Sequence, residues 1–327
     1  MMKRQAIALA LSAVLSAGCL TGCAGSVQSP ASDRIQIVCT NFAVYDWTRN
    51  LLAPDADCDV TYLLKNGTDS HSFQPSAADI AKISSCDLFI YVGGESEHWT
   101  AEAVQNVVNP DHHSLRLLDV VPPLEEELVE GMEAEEEEDD DEASDEPEYD
   151  EHIWLSVQNA QLCCSAIDEL LCEVDPAHAD AYQDAGKHYQ ERLAKLDTEF
   201  AAVAEQNHDQ PLIVADRFPF RYFVEDYGYT YYAAFAGCSA ETEASFETVA
   251  FLANKADECQ TRTLFTIEGG NAGIAEAVRD NTQSKDQTIA VLNSLQSVTQ
   301  EQIEGGASYC SLMEENLAVL KEAAERS

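Results

Sequence analysis

The chain has 327 residues, long enough for two lobes with cores of their own, and it carries 60 Asp and Glu against 18 Lys and Arg, a formal net charge of −42. Charge of that sign and size repels nucleic acid and disfavours docking on anionic lipid, so cations are the partners it would attract. The charge is uneven: most residues between Glu125 and Glu151 are acidic, and no Lys or Arg interrupts them.

The first residues read as an export signal. Lys3 and Arg4 precede an apolar run from Ala6 to Ala17, too short to span a bilayer. The run ends in Leu20-Thr21-Gly22-Cys23, which resembles the bacterial lipobox, with Ser16-Ala17-Gly18-Cys19 a poorer match. The expectation is a signal over 1–23, a lipid on Cys23, and a Gly/Ser/Gln/Pro tether over 24–33, so that the protein meets the membrane outside the cytoplasm through its anchor only. Setting aside Cys19 and Cys23 leaves nine cysteines, an odd number with no Cys-x-x-Cys pair, and these are expected to be buried free thiols.

From Ile35 short apolar strands alternate with helices. Strands are expected over Ile35–Cys39, Val60–Leu64, Leu88–Val92 and Leu115–Val121, with helices over Ala43–Leu52 and over Ala77–Ser84 behind the Ser76 cap. Such alternation implies parallel pairing and an α/β lobe over 34–174. Within it, 125–149 cannot bury enough apolar surface to fold and is expected to be a disordered insertion. Ala181, Ala185, Tyr189, Leu193, Leu196, Phe200 and Val203 then form one apolar stripe on a long amphipathic helix, assigned to 175–207 with Asp175 as its N-cap. The alternation resumes over 208–327. Strands at Leu212–Ala215, Thr230–Ala234, Thr263–Ile267 and Thr288–Leu292 each lead into a helix, at about Pro219–Asp226, Ser245–Asn254, Ala272–Asn281 and Tyr309–Ala324. The fold class is therefore α/β: two lobes with parallel sheets, joined by a long rigid helix, with a cleft between them.

In open α/β sheets ligands bind beyond the carboxyl ends of the strands. His71 lies in the loop after the second strand, Asp216 follows Leu212–Ala215, Asn293 follows Thr288–Leu292, and His152 stands where the acidic segment gives way to a helix. Two imidazoles with a carboxylate and an amide make a mixed N/O set suited to zinc, manganese or ferrous iron. Each residue alone has a plainer reading: a solvated histidine, a cap, a turn residue. Glu268, after Thr263–Ile267 and before Gly269-Gly270, is a turn residue or an alternative fourth ligand.

The segment Gly67-Thr68-Asp69-Ser70-His71-Ser72-Phe73-Gln74-Pro75-Ser76 resembles the first ligand loop of the zinc- and manganese-binding receptors of ABC importers, which read G-x-D-P-H-x-(F/Y)-E-P-(T/S). Glu151-His152-Ile153-Trp154-Leu155-Ser156 is similar to their second ligand motif, D-x-H-x-W-L-(D/S)-P. Gly237-Cys238-Ser239-Ala240-Glu241-Thr242-Glu243-Ala244-Ser245 resembles the segment I-S-x-E-x-E-P-S. The likeness runs from about Ile35 to the C-terminus. It implies two α/β lobes joined by a rigid helix, metal bound between them, and delivery to an ABC permease by a monomeric receptor that is not an enzyme. Two departures stand out. The third motif, H-x-(A/F)-(F/W)-x-Y-(F/L), matches Asp216–Phe223 with Asp216 taking the histidine's place, and the fourth, L-D-P-L, reads Leu292-Asn293-Ser294-Leu295. The resemblance thus implies His71, His152, Asp216 and Asn293 around Zn2+, with Mn2+ the alternative, and gives Glu268 a packing or hinge role.

A metallohydrolase would need an open coordination position and a nearby base, and no His-Glu-x-x-His or Gly-x-Ser-x-Gly pattern is present. A surface adhesin is a further role that these residues neither require nor forbid. The acidic stretch stands where zinc-type members carry a charged loop, as either a collector of cations or a repelling spacer.

Overall fold

The computed structural model describes residues 34–133, 148–207, 209–239 and 243–326. The export signal, the tether, Cys23 and the middle of the acidic stretch, 134–147, lie outside the described residues.

Strands β1 (Ile35–Cys39), β2 (Cys58–Tyr62), β3 (Leu88–Tyr91) and β4 (His113–Arg116) form one parallel sheet in the order β2-β1-β3-β4. Helix α1 (Phe42–Leu51) starts where the Asn41 side chain accepts from Val44 N at 3.0 Å. Helix α2 (Ala77–Ser85) starts at a reciprocal Ser76–Asp79 capping box, and the short α3 (Thr100–Gln105) follows β3. Strand β2 begins two residues earlier than the apolar run suggests. Leu63 and Leu64, its apolar end, instead lead into the next loop while their N–H groups donate to Cys39 O and Thr40 O at 3.0 and 3.3 Å. Past β4, Leu117–Asp119 tightens into a 3-10 turn, so that strand ends sooner than expected.

Helix α4 (Val157–Val174) is capped by Ser156, whose Oγ accepts from Asn159 N at 2.9 Å. Helix α5 (Ala179–Asn207) has 29 residues, roughly 44 Å at 1.5 Å per residue. Its buried stripe runs through Tyr182, Gly186, Tyr189, Leu193, Leu196, Phe200 and Val203. The helix starts three residues later than expected because the Asp175 carboxylate is taken by His178 Nδ1 at 2.6 Å and Tyr182 OH at 2.8 Å instead of capping the first turn.

The second sheet repeats the topology of the first. Strands β5 (Leu212–Phe218), β6 (Tyr231–Ala236), β7 (Thr263–Ile267) and β8 (Thr288–Leu292) are parallel in the order β6-β5-β7-β8. Helices α6 (Arg221–Tyr227), α7 (Phe246–Glu258) and α8 (Ala272–Asn281) alternate with them, and α9 (Gln300–Glu304) and α10 (Tyr309–Arg326) complete the chain. Helix α5 packs against α4, α1, α10 and α6, so it lies along both sheets' helices. A continuous core runs from β1 and β3 through these helices to β5, and a second cluster lies between the second sheet and α7 and α8. The chain's end returns to the first lobe: Tyr309 N donates to Asp46 Oδ2 at 2.9 Å and its ring meets Trp47 edge-on at 5.1 Å.

The acidic segment departs from the expectation of disorder throughout 125–149, for its described flanks are held. Glu125 and Tyr149 form an antiparallel bridge, and Glu133 pairs with Phe235 on the edge of β6, its N–H donating to Ala234 O at 3.0 Å. Glu127 pairs with Arg221 at 3.2 Å and Glu130 with Lys255 at 3.6 Å. Leu124, Val129 and Met132 pack on the core. These acidic residues find cations, a free sheet edge and an apolar foothold, which composition alone does not reveal.

Candidate metal centre

The loop after β2 and the turn before α4 carry two histidines whose rings meet. His71 Nε2 lies 3.3 Å from His152 Nε2. Each outer nitrogen faces a carboxylate: His71 Nδ1 is 3.5 Å from Glu151 Oε1, and His152 Nδ1 is 3.1 Å from Asp150 Oδ1. The loops are fixed as well as the rings. Asp69 Oδ1 accepts from His71 N at 3.0 Å, and Asp150 Oδ1 accepts from His152 N at 2.8 Å. Glu151 is held in turn by Ser96, through both its N–H and its hydroxyl. Carboxylates behind imidazoles set the tautomer so that Nε2 is the free donor atom, the arrangement found behind metal-ligating histidines.

The two rings do not titrate alike. Burial, the neighbouring His152 and Arg217 pull the His71 imidazole down to about 4, against the opposing pull of Asp69. Burial also disfavours charge on His152, but Asp150, Glu151 and Glu126 outweigh it and hold His152 above its ordinary value. The pair therefore takes one proton readily and refuses the second. Two neutral Nε2 donors side by side suit a cation far better than two protons.

A third donor comes from the other lobe. Cys238 Sγ and one ring nitrogen from each histidine all lie within 4.8 Å of one another, and among the described residues no other set of three or more His, Cys, Asp and Glu comes together in this way. Cys238 follows β6 in a loop braced from three sides. Its N–H donates to Glu126 Oε1 at 3.1 Å. Arg217 Nη1 donates to Ser239 O at 3.5 Å while Arg217 Nη2 pairs with Asp69 at 2.8 Å. Gly237 sits so close to His152 that a Cβ there would stand 3.1 Å from the ring and 2.9 Å from Phe218 O, which leaves no room for a larger residue.

Asp216 and Asn293, the other two ligands expected from the sequence, are engaged in hydrogen bonds within the second lobe, and Asp216 is not part of the His/His/Cys group. Strand β5 does not stop at Ala215 but runs to Phe218 with a register shift between Val214 and Arg217. The buried Asp216 carboxylate turns toward β7, accepting from Thr266 Oγ1 at 2.5 Å, Ile267 N at 3.3 Å and Arg217 N at 2.9 Å. Counting back from Tyr222 with the third motif's own spacing puts Arg217, not Asp216, in the histidine's place. Asn293 Oδ1 accepts from Leu295 N at 2.8 Å in a local turn, and the Asn316 side chain clamps the Asn293 backbone at 2.7 and 2.8 Å. Glu268 takes the Ser294 N–H at 2.6 Å and hydroxyl at 2.7 Å, tying the end of β7 to the loop after β8. The motif likeness of 237–245 rests on its acidic residues and does not single out Cys238. The strand-end rule applied to β6 would have found it.

Two parallel α/β lobes of identical strand order, a helix along both, and a His/His/Cys group drawn from both lobes define a bilobal binding protein with donors for a transition metal. A family model described as zinc-uptake complex component A, periplasmic, matches residues 37–323, and the chain belongs to that family. It is 28% identical over 304 residues to the zinc-binding lipoprotein AdcA of Streptococcus pneumoniae, covering 92% of this chain but 58% of that one, so the chain spans little more than half of that relative's length. It is 27% identical over 300 residues to the high-affinity zinc uptake system protein ZnuA of Bacillus subtilis, covering 91% and 90% of the two chains. The fold matches the crystal structure of the Zn(II)-bound ZnuA-like domain of S. pneumoniae AdcA with a TM-score of 0.71 at 24% identity, over 89% of this chain and 99% of that one.

Proposed function

We propose that the protein is an extracytoplasmic receptor that captures a divalent transition metal between its lobes, zinc in preference to manganese, and hands it to an ABC permease. The observation that carries this reading is the pair of imidazole Nε2 atoms 3.3 Å apart, each with a carboxylate behind its other nitrogen. Membership of a family described by zinc uptake supports transport rather than catalysis, and the zinc-binding names of the relatives support zinc. His71 and His152 hold the ion, with Cys238 a further donor within reach. A lipid on Cys23 and a monomeric receptor belong to the same reading. It rests for the anchor on the lipobox-like run alone.

Calorimetric titration of the chelator-stripped protein with Zn2+ and Mn2+ tests the proposal. One Zn2+ should bind per chain, and His71→Ala and His152→Ala should each weaken binding by more than the roughly 10–100-fold that loss of an outer-shell partner costs. A wild-type protein that takes up no stoichiometric metal would end this reading.

A further inference from the structure

We infer that Cys238 coordinates the captured ion as a thiolate and is the residue that makes the site select zinc over manganese; the inference rests on the receptor reading above. Three features carry it. First, Sγ lies within 4.8 Å of a ring nitrogen of each histidine, so donors from both lobes are within reach of one ion. Second, the loop is built to present that sulfur: Glu126 fixes the Cys238 N–H, Arg217 fixes the Ser239 carbonyl, and Gly237 permits the close approach to His152. Third, Asp216, the carboxylate that would make the site hard, is engaged with Thr266 and Ile267 inside the second lobe.

The chemistry follows from ligand softness. Carboxylate and water suit manganese, whereas thiolate and imidazole suit zinc. On binding, the Cys238 S–H bond breaks, a sulfur–metal bond forms, and the proton leaves to solvent. A coordinating cation stabilises the thiolate over the thiol. The same sulfur links the lobes: with both histidines in the first lobe and Cys238 after β6, capture of the ion joins the two across the cleft.

Titration with Co2+ followed by absorption reports sulfur ligation directly, through the near-ultraviolet sulfur-to-cobalt charge-transfer band. Wild type should show that band together with the visible bands of bound Co2+. Cys238→Ser should lose the charge-transfer band, keep Co2+ on the two histidines, and lower the zinc-to-manganese affinity ratio by at least about tenfold. Cys238→Ala, with circular dichroism on both variants, separates a lost ligand from a lost fold, and the wild-type spectrum decides the point even if both variants misfold. Bound Co2+ without the charge-transfer band, or an unchanged zinc-to-manganese ratio in folded Cys238→Ser, overturns the role of Cys238 and leaves the receptor intact. A wild type that binds neither Co2+ nor Zn2+ overturns both.

Discussion

Asp216 is worth most to this protein as an acceptor inside the second lobe. Its buried carboxylate satisfies the Thr266 hydroxyl and the Ile267 and Arg217 N–H groups at once. Asp216→Ala would orphan buried donors at about 1–3 kcal/mol each. The expected outcome is a lower unfolding midpoint in denaturant, with zinc affinity of the folded fraction within a few-fold of wild type. A collapse of affinity at unchanged stability would return Asp216 to the ligand set. Glu97 allows a pH test at the same scale. It accepts from Gly93 N at 2.8 Å, and burial pushes its carboxyl from an ordinary value of 4.5 up to about 7. The folded chain therefore holds that proton more tightly than the unfolded chain. The contribution is complete below 4.5 and is lost as pH rises toward 7. Glu97→Gln, neutral throughout, should match wild type near pH 4.5 and exceed it at pH 8 by up to about 3 kcal/mol, read from melts of the metal-free proteins. Equal stability at both pH values would mean that Glu97 ionises freely.

Among the elements, the loop from Gly237 to Ser239 and the end of β5 decide how the lobes meet. Arg217 reaches both the loop of His71, through Asp69, and the loop of Cys238, through Ser239. Its planar fork holds two acceptors in fixed directions, which the point charge of lysine cannot copy. Arg217→Ala should raise amide hydrogen exchange around 69–73 and weaken zinc binding by roughly 10–100-fold, the range for a group that only orients ligands. Arg217→Lys should recover part of the affinity. Unchanged exchange in the alanine variant would show that Asp69 and its loop are held without Arg217.

At the scale of the molecule, charge and connectivity pull in different directions. Every residue over 135–142 is acidic, and the segment's described flanks anchor on the second lobe through Glu127, Glu130 and Glu133. Deleting 134–147 therefore leaves those anchors in place and should not unfold the protein. High-affinity binding should survive as well, since the proposed ligands lie outside the deletion. What should fall is the rate of metal capture at low ionic strength, with the difference vanishing at high salt, because attraction between exposed charges is screened within about 10 Å at 0.1 M. Stopped-flow uptake at two salt concentrations measures it, and equal rates at low salt would make the stretch a spacer.

Most of the architecture was legible without coordinates. Alternating apolar runs mark strands because successive side chains point to opposite faces, and the stripe from Ala181 to Val203 marks a long helix because i, i+4 and i+3 share a face. His71 and His152 were legible too, through the motifs that surround them. Local pattern cannot say which way a side chain at a strand's end will turn. The apolar run predicts a strand that ends at Ala215 with Asp216 just beyond it, but β5 runs on through a bulge, and Thr266 on the neighbouring strand captures the Asp216 carboxylate. Asn293 likewise spends its amide on Leu295. Cys238 is 86 residues from His152 and 167 from His71 in the chain, so only the packing of one lobe on the other brings the three together. The sequence by itself determined the elements, their parallel pairing and the two histidine loops that the fold brings together, all of which depend on short-range periodicity and spacing. Tertiary structure alone decided which polar groups spend their hydrogen bonds within a lobe and which are left to face the cleft, because that depends on partners distant in sequence.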